Sequence, residues 1–501
     1  MSTWHEQVAV SGAVALPPDP RAMEGLGRNH SLETALADLV DNSIDAQASE
    51  VLIRFVRRAG RLRALYMVDN GHGMGRNEID TAMTVGSRRV YGRAELGRFG
   101  IGLKAASFSQ ARAVTVVSKT VSSSPVGRRW VLGDDRENFQ CDIVSEDFCF
   151  DEYDRSWGIA ESGSGTVVRW DVVSGFPTTD DPARVEKFIT QAIAKIRNHL
   201  GLVLHRIIAS GRIAVTVDVE DVDSIHPGPR FPVAAIDPFG YLRSGHADYP
   251  KTLAATSRGH KVEFACHIWP GRSHLPEFRL SGAPADHQGI YFYRNDRLLQ
   301  AGGQWGGVHP DEPALQLARV AVDIDDDILG LFQMNPEKSR VITGPDFTAL
   351  AESTRAGDGS GVADYLLDAQ QAYRKSRQRS RSRKPMIPPG KGFPPRLRSV
   401  IEEEIPAVPG HEGLSVKWRR FENDSFFDVD RATGTLWLNQ QYRPTPTGQR
   451  HTVNDTPLLK ALLYLLIEDV FEGEHLGPKD KDNIELWQEV LTVAAKDEGT
   501  S

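Results

Sequence analysis

Cysteine is scarce in this chain: 501 residues contain three thiols, Cys141, Cys149 and Cys266. No two of them stand in a C-x-x-C arrangement. That argues against a zinc ribbon or a disulfide framework and points to a reducing, cytoplasmic setting. Long apolar runs are lacking as well. No window approaches the roughly eighteen uninterrupted apolar residues of a membrane span, so none is expected. The opening MSTWHEQVAV has neither the basic start nor the apolar stretch of a secretory leader. Nor is there a surplus of positive charge. A net charge of −8 gives no global basic field, so any nucleic-acid surface must be a local patch. What is there is ordinary: 40% hydrophobic and 25% charged residues, enough for roughly two to four globular domains.

One stretch departs from the ordinary: Ser31 to Ala46, SLETALADLVDNSIDA. At helical pitch Leu32, Leu36, Leu39 and Val40 form an apolar face. Asp38, Asn42 and Asp45 stack on the other side at i, i+4, i+7, with Asp41 beside them. Ser31 can cap the helix, with Thr34 at the third position in an imperfect capping box. Taken alone, the acidic stripe reads either as a solvated face or as a ligand-facing one.

Three motifs follow it. ALYMVDNGHGM, residues 64–74, is an apolar strand running into D-x-G-x-G at Asp69, Gly71 and Gly73. GRFGIGLKAASFSQ, residues 97–110, is a glycine-rich loop opening a helix. Gly165-Thr166 then begins the strand TVVRW. Each is weak by itself; the ordered set is specific. From Leu32 to Trp170 the chain resembles the GHKL nucleotide-binding domain shared by gyrase B, heat-shock chaperones, histidine kinases and MutL.

That resemblance implies an α+β fold with a Bergerat-type α/β sandwich, and ATP and Mg2+ as cofactors. Asp69 would accept the adenine amino group, with Met74 on the ring and Thr166 joining the base edge; an ordinary strand threonine is the other reading of Thr166. Gly71 and Gly73 let backbone approach a flat ligand. The phosphates would lie on backbone amides of Gly97, Gly100, Ile101, Gly102 and Leu103 at a helix start. No G-x-x-x-x-G-K-[ST] loop occurs, so this is not a Walker site. Lys104 resembles a lid lysine, or is a surface lysine. Asn42 would be the one protein ligand to magnesium, which keeps several waters, and Asp45 would support it. The family usually has Glu four residues before the asparagine; here that position is Asp38, one methylene shorter. A general base must come within hydrogen-bond reach, so slow hydrolysis is expected. Lys338, in QMNPEKSR, resembles the lysine that reaches the γ-phosphate, with Gln333 assisting; a loop lysine is the alternative.

The remainder gives an outline: an ATP-binding domain over 1–180, a transducer-like α/β domain over 181–350, a helix and basic linker over 351–400, and a small acidic domain over 401–501. Residues up to His30 read either as a frayed terminus or as an arm that packs across a partner. Thr81 to Phe99 reads as a lid over ATP. Val185, Phe188, Ile189, Ala192, Ile193 and Ile196 mark an amphipathic helix, and GIYFYRNDRLLQ, residues 289–300, a strand turning at Asn295-Asp296. Arg374 to Arg398 holds ten Lys or Arg and no acid. It is either a solvated spacer or a binder of phosphate backbone.

No phosphoacceptor helix, strand-passage domain or D-Q-H-A metal motif is found. What remains resembles prokaryotic MORC-like ATPases of the MutL branch. The likeness implies a nucleotide-dependent homodimer that clamps or remodels DNA, in some systems for restriction or antiphage defence. The alternative is an ATP-binding, barely hydrolysing scaffold that gates partner proteins through the C-terminal domain.

Overall fold

The structure, a computed structural model, describes residues 30–85, 102–133, 140–160, 162–224, 228–257, 259–271, 273–325, 328, 331–334, 341–382, 384–443, 452–472 and 476–499. The fold is α+β, and the chain forms two compact units.

The first unit takes the chain up to Asp237, together with Phe292–Ala301 and Asp323–Thr343. Its elements run α1 (Leu32–Asp45), β1 (Glu50–Arg58), β2 (Arg61–Asp69), α2 (Arg76–Met83), α3 (Gly102–Gln110), β3 (Ala111–Lys119), β4 (Val126–Val131), β5 (Asp142–Ile143), α4 (Glu146–Tyr153), β6 (Gly165–Val173), α5 (Pro182–Val203), α6 (His205–Ala209), β7 (Ala214–Asp221) and β8 (Arg230–Pro232). Eight strands make one sheet in the order β5-β4-β3-β6-β2-β1-β7-β8. Every pairing is antiparallel except β1 with β7.

Period-two alternation explains why β1 and β2 read as nearly continuous apolar runs. Val51, Ile53, Phe55, Leu65 and Met67 enter the larger core beneath α1, α3 and α5. Leu52, Val56, Ala64, Tyr66 and Val68 enter a smaller one with Cys149 of α4 and Trp157. Both faces are thus covered. α5 and β7 lie beyond residue 180 and belong to the same unit. Val185, Ile189, Ile193 and Ile196 of α5 complete the larger core, and β7 lies in register along β1.

The chain continues through β9 (Lys251–Ser257), β10 (His260–Ile268), the short α7 (Pro276–Arg279), β11 (Gly289–Arg294), β12 (Arg297–Ala301), β13 (Ala318–Asp323), β14 (Phe332–Met334), β15 (Val341–Thr343), α8 (Pro345–Ser353) and α9 (Val362–Ser382). In the second unit β10 pairs antiparallel with both β9 and β13. There Arg319 is fully buried and donates to the carbonyls of Pro238, Glu277 and Phe278.

The C-terminal part of that unit holds α10 (Pro395–Glu404), β16 (Ser415–Arg419), β17 (Phe427–Asp430), β18 (Thr435–Asn439), α11 (Pro457–Ile467) and α12 (Pro478–Gly499). In the described residues the basic stretch is partly helical and partly packed. α9 runs through it to Ser382, and Ile387 and Phe393 are buried in the C-terminal core. Ile387 is pinned on both sides: its N–H donates to Glu468 and its carbonyl accepts from Tyr464. No helix among the described residues is long and apolar enough to cross a membrane.

Candidate functional site

The polar stripe of α1 is not a solvated face. Asp38 and Asp41 are buried, and Asn42 and Asp45 are half-buried. The helix is capped as its sequence implies, with the Thr34 N–H donating to Ser31 Oγ at 3.4 Å. Asp38 Oδ2 lies 3.9 Å from His30 Nε2. No described residue hydrogen-bonds the side-chain amide of Asn42, whose Nδ2 is buried. A buried polar atom left this way is rare in native proteins and is normally met by water or ligand.

Ser43 falls on the helix stripe of Leu36 and Leu39, a polar residue on an apolar face, and such a residue needs a buried partner. That partner is Asp69: the Ser43 hydroxyl donates to Asp69 Oδ2 at 2.9 Å, and the Gly71 N–H donates to Oδ1 at 3.0 Å. Burial raises the pKa of Asp69 above the ordinary carboxylate range, against these hydrogen bonds. Thr166 stands opposite Asp69 in the β2–β6 ladder. Its hydroxyl meets that of Ser118 at 2.8 Å, and Ser118 Oγ also accepts the Met74 N–H at 2.8 Å. Met74 packs on the edge of the larger core.

The glycines after β2 are sterically required. A Cβ on Gly73, at φ +68°, would lie 1.9 Å from the Lys119 carbonyl oxygen. One on Gly71 would lie 2.7 Å from that of Ala46. β2, the loop after it, α1 and β3 therefore approach at backbone distance, leaving Asp69 at the end of its strand.

Lys104 is not a surface lysine. Its ammonium is buried and donates to the carbonyls of Ala82 at 2.8 Å and Thr84 at 2.7 Å, closing the C-terminal end of α2. Burial pushes its pKa down to about 8. Among the described residues it has no carboxylate partner. Gly102 is the first residue of α3, and a Cβ there meets nothing within 4 Å. Leu103 packs on the edge of the larger core. Gly97, Gly100, Ile101 and Lys338 lie outside the described residues, as do 86–99 of the expected lid and the expected N-terminal arm before His30. Gln333 is in β14.

Sequence reasoning missed His30, Ser43 and Ser118. Only Ser43 carried a signal, its place on the apolar stripe. It also missed Arg297, whose Nε donates to Asp41 Oδ1 at 3.2 Å, both side chains being buried.

Helix, aspartate strand-end and glycine cradle define a class. Residues 30–145 match the family described as Histidine kinase-, DNA gyrase B-, and HSP90-like ATPase. The match supports a GHKL-type, ATP-binding ATPase domain in this segment. Asp38, Asn42, Asp45, Asp69, Gly71, Gly73, Met74, Gly102, Leu103 and Lys104 fall inside the match; Thr166 and Lys338 fall beyond it. No curated protein matches the chain.

Proposed function

We propose that the chain binds and slowly hydrolyses Mg-ATP on the polar face of α1. One observation carries this reading: Asp38 and Asp41 are buried, beside an amide that no described residue engages. The donor set fits a hard cation and an adenine ring, with an amide oxygen at Asn42, a carboxylate acceptor at Asp69 and glycine backbone between.

In this reading Asp69 accepts the adenine amino group, held in place by Ser43 and Gly71, while Met74 and Thr166 flank the base. Asn42 holds magnesium, which when bound supplies charge neutralisation at the phosphates. Asp45 supports Asn42, and Asp38 takes a proton from water as general base. The amides from Gly97 to Leu103, with Lys104, serve the phosphates, and Lys338 answers the γ-phosphate. For Lys104 this means leaving the Ala82 and Thr84 carbonyls.

We assign the protein to the MORC-like, MutL-branch group, as a cytoplasmic, nucleotide-gated homodimer that engages DNA. Support comes from the exposed Arg374, Lys375 and Arg377 on α9. The domain spans given above belong to the same proposal, as does a role in restriction or antiphage defence. The scaffold reading is favoured by one observation, an exposed apolar face near the C-terminus. It would bind partner proteins through the C-terminal domain, where Leu458, Leu462 and Leu465 are exposed on α11.

Phosphate release from Mg-ATP, with and without duplex DNA, separates the two readings. Turnover that responds to DNA and is lost in Asp38→Ala supports the clamp. Nucleotide-dependent dimerisation without turnover supports the scaffold.

A further inference from the structure

The buried pair Asp41–Arg297 has no part in the site as proposed, yet it touches the site's helix. Asp41 is 0% exposed and lies one residue before Asn42 and three after Asp38. Arg297 opens β12, directly after the tight turn at Asn295 and Asp296, whose φ angles are +48° and +64°. The other end of that turn is fastened separately. The Arg206 guanidinium of α6 lies 3.5 Å from the Tyr293 ring centroid and forms an ion pair with Asp323 at 2.6 Å. α5 packs against both α1 and β12. His199 on α5 is held neutral, burial pushing its pKa down to about 4 with Arg297 as the next cause.

We propose that Arg297 is a positioning residue: through its buried ion pair with Asp41 it fixes α1, and so Asp38 and Asn42, relative to the hairpin Phe292–Ala301, so that nucleotide bound on α1 is felt at the hairpin. The inference rests on the nucleotide-binding reading above. The physical basis is that a buried guanidinium with a carboxylate partner has few alternative positions, because any displacement leaves a charge unpaired in a low-dielectric interior. Movement of α1 by a fraction of an ångström must therefore move Arg297 or break the pair. Neither residue has a ligand-binding role in that reading, so their effect passes through Asp38 and Asn42.

Hydrogen exchange of residues 292–301, measured on the full chain with and without Mg-ATP, tests this. Wild type, Arg297→Lys and Asp41→Asn are compared, with ATP affinity and melting midpoint measured in parallel. Wild type should gain protection in the hairpin on binding ATP. In both variants ATP affinity should stay within about threefold while the hairpin response disappears and kcat falls by about tenfold or more at similar KM. Should Asp41→Asn fail to fold, Arg297→Lys, which retains the cation, carries the test alone. A lowered melting midpoint with the hairpin response intact would mean a merely structural ion pair and would overturn the proposal. Wild type that binds ATP with no response at the hairpin overturns the inference alone. Wild type that does not bind Mg-ATP overturns the nucleotide reading and the inference with it.

Discussion

Ser43 and Asp69 are 26 residues apart in the chain and joined by a 2.9 Å hydrogen bond in the core. It ties the helix of the polar stripe to the end of the central strand. The acceptor proposed for adenine is thereby oriented from α1, and the two halves of the site cannot move independently. Ser43→Ala should weaken ATP binding by about tenfold while leaving the fold in place, because Asp69 loses a donor that orients it, worth ~1–2 kcal/mol. Calorimetric titration checks this; unchanged affinity would remove the orienting role.

The two ends of the glycine set should respond in opposite ways. Gly73→Ala places a Cβ 1.9 Å from a backbone oxygen at φ +68°, so both nucleotide binding and stability should fall, the strain alone being about 1–3 kcal/mol. Gly102→Ala meets nothing within 4 Å and should leave stability equal or slightly raised. If the phosphates lie against α3, it should still weaken ATP binding. Thermal melts beside ATP titrations of the two variants separate these effects.

Lys104 gives a pH signature. Its pKa is about 8 in the folded protein, against roughly 10.4 for a free lysine side chain. Between those values the unfolded chain binds more protons, so stability should rise with pH from about 8 to about 10.4. Below about 8 the cost of burying the charge is fully present, roughly 3 kcal/mol at 1.36 kcal/mol per unit. Urea unfolding of wild type and Lys104→Met across that window should show wild type gaining on the variant as pH rises. A gap independent of pH would contradict the burial.

The pair Arg54–Asp218 carries a stability prediction. The guanidinium grips both carboxylate oxygens, at 2.8 and 2.7 Å, across the β1–β7 register, and both residues are buried. Asp218→Ala leaves Arg54 with Glu220, at 3.0 Å, as its carboxylate partner, and should cost about 3 kcal/mol. Replacing both residues with apolar ones of similar volume should cost less than that single change. Urea denaturation checks both.

DNA binding through α9 should show in its salt dependence. Replacing Arg374, Lys375 and Arg377 with Gln should lower affinity for unrelated duplexes alike. The slope of log K against log salt should shrink by about 0.9 for each phosphate no longer neutralised. An unchanged slope would move the DNA surface elsewhere or remove it.

Much of this was legible in the sequence because strong periodicity survives tertiary context. Helix α1 and strands β2 and β6 stand within a few residues of where their apolar patterns place them, and Gly71 and Gly73 are where backbone approach demands them. What was not legible depends on distant partners. Asp41 reads as one more acid on a stripe until Arg297, 256 residues away, is seen beside it. Lys104 reads as either a lid lysine or a surface lysine because nothing local shows the end of α2 closing on it. The basic run reads as a solvated spacer or a binder of phosphate backbone because Pro and Arg dominate it, yet Ile387 and Phe393 supply the two apolar anchors that draw its second half into a core.

The most direct measurement is a calorimetric titration of ATP into the full chain, with and without magnesium, for wild type and Asn42→Ala. Wild type should show saturable binding that magnesium strengthens, and Asn42→Ala should bind no more tightly with magnesium than without it. Wild type that gives no binding heat and no shift in melting midpoint with Mg-ATP would contradict a nucleotide site on α1.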